Sequence, residues 1–100
     1  NGAPVQLRGV NRHEPHPDFG RAVPRETLEL DLLLMKRANV NAIRTAHYPP
    51  HSDLLDLADA LGFWVIDECD LETHGFGDVG WRENPTDGEA WEAALRDRAR

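Results

Sequence analysis

Three short apolar runs alternate with stretches of helical periodicity, and this alternation restricts the fold more than any other feature. The runs are Val5-Gln6-Leu7-Arg8-Gly9-Val10, Val40-Asn41-Ala42-Ile43-Arg44 and Phe63-Trp64-Val65-Ile66. Apolar runs of this length read as strands. Strand, helix and strand joined by short connections make βαβ units and a parallel sheet. Two architectures satisfy that order, a small open α/β sheet and part of a (β/α)8 TIM barrel. A self-contained doubly wound domain usually needs more strands than three, so a partial barrel, its first three βα units, fits better.

The helices carry their own signals. Pro24 suits a first helical turn, and Glu26 sits near its positive end. Leu28, Leu32 and Met35 then recur at i, i+4 and i+7, with Leu30, Leu33 and Leu34 widening the stripe. Asn39 closes this helix. A second helix runs from Ser52 to Leu61, with Leu54, Leu57, Ala58 and Leu61 on one face and Gly62 at its left-handed end. Thr86-Asp87-Gly88-Glu89 has the form of a capping box for a third. The turn-like Asn1-Gly2-Ala3-Pro4 leads straight into the first strand. Trp91 to Arg100 holds a helical pattern to the last residue without Gly, Asn or Pro to stop it. Residues 1–100 therefore read as one fragment of a larger barrel domain, and as a poor folder alone, because an open parallel sheet leaves edges and a face uncovered.

Charge and cysteine content limit the partners. Eighteen acids against eleven bases give a net charge of −7, which argues against nucleic acid and anionic membranes as partners. No apolar stretch reaches the roughly 20 residues of a membrane span. Cys69 stands alone, so no internal disulfide can form, and a reducing compartment, the cytoplasm, is expected.

Polar and ionisable groups collect after the strands and not before them. Asn11, Arg12, His13 and Glu14 follow the first; Arg44, His47 and Tyr48 the second; Asp67, Glu68, Asp70, Glu72 and His74 the third. In a barrel the loops after the strands share one face, where chemistry is carried out. Ordinary solvated loops would also be polar. Glu72 and His74, two apart in an extended segment, point the same way and offer one oxygen and one nitrogen to a single cation. Asp67 and Glu68 at the strand end are candidate catalytic carboxylates, or ion-pair partners of an arginine such as Arg44. Other mechanisms lack support. Gly75-Phe76-Gly77 is not a phosphate loop, and Cys69 among acids is a poor nucleophile. No nucleophile elbow is present.

Three ordered stretches carry a resemblance. Gly9-Val10-Asn11-Arg12-His13-Glu14, Asn41-Ala42-Ile43-Arg44-Thr45-Ala46-His47-Tyr48-Pro49 and Asp67-Glu68-Cys69-Asp70-Leu71-Glu72-Thr73-His74-Gly75 resemble catalytic-domain motifs of family 2 glycoside hydrolases. Asn-Arg-His-Glu and Glu-Thr-His-Gly look like the β-galactosidase branch. The likeness extends to about Gly75, thins from Phe76 to Arg100, and departs at Cys69-Asp70, where the family more often has small or amide residues.

The resemblance implies a (β/α)8 barrel and retaining hydrolysis of terminal β-galactosides by two glutamates about 5 Å apart. Both would lie beyond Arg100, so the fragment alone would be inactive. By similarity, His13 and His47 would contact galactosyl hydroxyls, Arg44 would lie near the nucleophile, and Glu72 and His74 would be two ligands of Mg²⁺. A histidine ligand runs against the usual all-oxygen preference of that ion; the residues alone suggest Zn²⁺ or Mn²⁺. The resemblance also implies a homo-oligomer and leaves room for a monovalent cation elsewhere in the longer protein. A self-standing α/β module binding a sugar or cation is the alternative.

Overall fold

A computed structural model describes residues 2–99. Asn1, in the turn-like start, and Arg100, at the end of the helical pattern, lie outside the described residues. The chain divides into two compact units, Asn1–Glu68 and Cys69–Arg100, each described by itself.

The first unit runs β1 (Gly9–Arg12), α1 (Arg25–Arg37), β2 (Ala42–Thr45), α2 (Ser52–Leu61) and β3 (Trp64–Ile66). Its strands form one parallel sheet in the order β1-β2-β3. Val10 lies opposite Ile43, and Ile43 opposite Val65. The βαβαβ order expected from the alternation is therefore present.

The strand bounds differ from the apolar runs. Val5 to Arg8 precedes β1 because its backbone is engaged by one side chain: Asn41 Oδ1 accepts from the Arg8 N–H at 2.7 Å, and Asn41 Nδ2 donates to the Gln6 carbonyl at 3.0 Å. The ladder starts only at Gly9, so Asn11 and Arg12 belong to the strand and not to the loop.

Leu28 and Leu32 of α1, Ile43 of β2 and Leu54, Leu57 and Ala58 of α2 form the buried core with Phe63, and Met35, Leu61 and Val65 pack against it. The i, i+4, i+7 spacing of Leu28, Leu32 and Met35 explains this, since about 100° per residue brings them to one side of the helix. Leu30, Leu33 and Leu34 do not widen that stripe: the same rotation turns them away, and they are exposed. Pro24 stands just before the first turn, in extended conformation at φ −62°. Asn39 at φ 62° and Gly62 at φ 70° close the two helices in the left-handed region, as their residue types allow.

The third apolar run is not buried throughout. Phe63 is, but Trp64 and Ile66 are 58% and 56% exposed. They lie in register with Ala42 and Arg44, and the alternation of the strand turns them to the sheet face opposite Phe63 and Val65.

In the second unit, three short 3₁₀ turns (His74–Val79, Pro85–Asp87 and Glu89–Trp91) precede α3 (Glu92–Arg98). The capping box does not form. Asn84 takes the role of cap, its Oδ1 accepting from the Thr86 N–H and hydroxyl at 3.0 and 2.9 Å, with Pro85 at the first position of the turn. Gly88 is extended and delays the helix to Glu92. Among the described residues no helix is long and apolar enough to cross a membrane.

Candidate active site

Alternation along the end of β1 sorts the Asn-Arg-His-Glu stretch into two faces. Arg12 and Glu14 turn inward, each only 7% exposed, while His13 between them is exposed. Arg12 NH2 donates to Asp31 of α1 at 2.8 Å, and NH1 meets Glu14 Oε1 at 3.3 Å. Both Glu14 oxygens accept from the His51 backbone N–H, at 3.2 and 3.1 Å. His51 caps α2, so a carboxylate here faces that helix's positive end. Arg12 and Glu14 thus hold the scaffold, and only His13 of the three is presented outward.

The end of β2 carries Arg44 and His47, and β3 is tied to it by Thr45. The buried Thr45 hydroxyl accepts from the Glu68 N–H at 2.9 Å. This fixes the Glu68 carboxylate beside β2, where Oε1 pairs with Arg44 NH2 at 2.6 Å. Arg44 NH2 also lies 3.4 Å from His47 Nδ1, and that nitrogen lies 3.7 Å from Glu68 Oε2. Among the described residues, Oε2 is the buried side-chain oxygen with no hydrogen-bond partner. The peptide joining Ala46 to His47 is cis. The His47 ring meets His13 edge-on at a centroid distance of 5.4 Å.

Three expected residues, His13, Arg44 and His47, are therefore brought together at the carboxyl ends of β1 and β2, and Glu68 joins them from β3. Glu68 is an ion-pair partner of Arg44, one of the two roles its position at the strand end allowed. Nothing local in the chain marks the Thr45 contact, whereas the period-two alternation of residues 12, 13 and 14 contains the inward turn of Glu14. Chemically, the group combines a guanidinium engaged with Glu68 through NH2 with two imidazoles able to donate or accept hydrogen bonds.

Glu72 and His74 belong to the second unit. His74 Nδ1 lies 2.5 Å from Glu72 Oε1, which also accepts from the His74 N–H at 3.0 Å. Here the two side chains face each other directly; a carboxylate and an imidazole are still donor types that suit a cation. No group of three or more His, Cys, Asp or Glu side chains able to hold a metal occurs among the described residues, so these two would be part of a larger donor set.

All of residues 1–100 match the family described as glycosyl hydrolases family 2, TIM barrel domain. The chain belongs to this family. Within it, the β-galactosidase of Arthrobacter sp. (strain B7) is 61% identical over 98 residues, 98% of this chain and 10% of that protein. The β-galactosidase of Kluyveromyces lactis is 61% identical over 75 residues, 75% of this chain and 7% of that protein. Among solved structures, the β-glucuronidase of Faecalibacterium prausnitzii superposes with a TM-score of 0.68 at 37% identity, covering 70% of this chain and 12% of that one. A family 2 β-galacturonidase from Eisenbergiella tayi, bound to galacturonate, gives 0.63 at 45% identity, covering 65% and 12%. The chain spans about a tenth of the length of the curated relatives it matches. As part of a family 2 barrel, its three parallel strands are a slice of the closed sheet. The sheet face with Trp64, Ile66 and Arg44 is the one a barrel encloses.

Proposed function

We propose that this chain forms the first three βα units of the catalytic barrel of a retaining β-galactosidase, which removes terminal non-reducing β-D-galactose from β-galactosides. The observation that carries the reading is the 61% identity to a β-galactosidase over 98 residues. It is supported by the convergence of His13, Arg44 and His47 at the carboxyl ends of neighbouring strands, where barrel enzymes hold their substrates.

The two glutamates that cleave the bond lie outside residues 1–100 in this reading, one as acid/base and one as nucleophile. His13 and His47 hydrogen-bond galactosyl hydroxyls, with bonds that strengthen as the ring distorts towards the transition state. Arg44 steadies the anionic form of the nucleophile. Its pairing with Glu68 uses NH2. Glu72 and His74 would hold Mg²⁺ together with donors from elsewhere in the protein. Bound there, the ion supplies fixed positive charge to the surrounding carboxylates. The same reading includes a cytoplasmic homo-oligomer, with a monovalent cation site elsewhere. The unpaired Cys69 supports the compartment.

The test uses the whole protein with nitrophenyl β-D-galactoside, following the sugar released by proton NMR. Appearance of β-galactose before its α-anomer is expected. Release of the α-anomer first, or no hydrolysis, would contradict the proposal.

A further inference from the structure

His13 directly precedes Glu14, and His47 directly precedes Tyr48. The Glu14 backbone N–H donates to the Tyr48 hydroxyl at 2.8 Å. One hydrogen bond therefore links the residues that follow the two imidazoles, across the gap between the β1 and β2 loops.

Both ends of this link are anchored. The Glu14 carboxylate is buried against the His51 N–H and Arg12, and Arg12 is held in turn by Asp31. The Tyr48 ring is covered on one face by the Arg21 guanidinium, 3.8 Å from its centroid, and approaches the His13 ring at 6.1 Å. A tyrosine serving only as packing needs no hydroxyl partner, and a carboxylate serving only solubility is not buried. The two rings meet edge-on at 5.4 Å, and the residues that follow them are held by these fixed points.

We infer that Glu14 and Tyr48 are positioning residues that set the separation of His13 and His47 and so act, through those rings, on the reaction. The effect on rate rests on the galactosidase reading above; the effect on ring separation does not. Misplacing binding groups by about 1 Å can cost about a hundredfold in rate, so a single hydrogen bond that holds two contacts in register has a large lever.

The experiment compares the whole protein with its Tyr48→Phe and Glu14→Gln variants by crystal structure, thermal melting and kinetics with nitrophenyl β-D-galactoside. Tyr48→Phe keeps the ring and removes only the acceptor of the Glu14 N–H. Glu14→Gln keeps the shape but places an amide donor against Arg12. The expected result for both is a changed His13–His47 separation. For Tyr48→Phe, kcat falls by about tenfold to a hundredfold with KM within about twofold, while Tm stays within about 3 °C of the parent. Rings that keep their separation in both variants overturn the inference, as does a changed separation with unchanged kcat. Failure of the unaltered protein to cleave galactosides counts against the proposed function alone, because the ring separation still decides the positioning claim.

Discussion

Arg44 and Glu68 meet at 2.6 Å, NH2 to Oε1, and so join the carboxyl ends of β2 and β3 on the side where His13 and His47 gather. About a third of each side chain is exposed, and such a pair contributes about 1 kcal/mol or less to stability. Its value lies in aiming the guanidinium. Glu68→Ala in the whole protein should lower kcat/KM for nitrophenyl galactoside by about tenfold or more, while Tm moves by only a few degrees. A fall in Tm without a fall in kcat/KM would make the pair merely structural.

The two imidazoles should matter more to turnover than to binding. His13→Ala and His47→Ala are each expected to lower kcat about tenfold or more, because the bonds proposed for them strengthen in the transition state. Steady-state kinetics checks this. An unchanged kcat in both variants would remove the assigned roles.

The proposed Mg²⁺ site rests on Glu72 and His74. EDTA should depress activity of the whole protein and added Mg²⁺ restore it. Glu72→Gln removes the carboxylate charge and should raise the Mg²⁺ concentration needed for half-restoration by about tenfold or more. A titration with the same midpoint as the parent would show that Glu72 is no ligand.

Arg12 and Glu14 form a nearly enclosed pair, so removing one partner strands the other. Arg12→Met should destabilise the barrel by about 3–5 kcal/mol, read as a large drop in the temperature of its unfolding transition. Adding Glu14→Leu should recover part of that loss, since two apolar groups no longer leave a buried charge. Equal melting of the single and double variants would count against this account.

Residues 1–100 expressed alone should unfold over a broad range without a sharp transition. Trp64, Ile66, Leu30 and Leu34 would remain in water, and the sheet keeps open edges. A sharp calorimetric peak from the monomeric chain would contradict this.

What could be read from the sequence follows from period and residue type. Leu28, Leu32 and Met35 mark the core side of α1 through spacing alone, and Asn39 and Gly62 mark helix ends because few other residues tolerate positive φ. The start of β1 could not be read, because Asn41, more than thirty positions away in the sequence, takes over the backbone of Gln6 and Arg8. Long-range side-chain capture leaves no local pattern. Likewise His13, Arg44 and His47 stood out as polar groups after strands, but the bond from the Glu68 N–H to Thr45 joins residues 23 apart and has no signal in the chain. The capping box failed because Asn84 before Pro85 competes better for the Thr86 N–H.

The most direct test of the central claim is the ratio of kcat/KM for nitrophenyl β-D-galactoside to that for nitrophenyl β-D-glucuronide, measured on the whole protein. A galactosidase assignment predicts a ratio of about a hundred or more. A ratio below one would contradict it and align the protein's activity with that named for its uronide-cleaving structural neighbours.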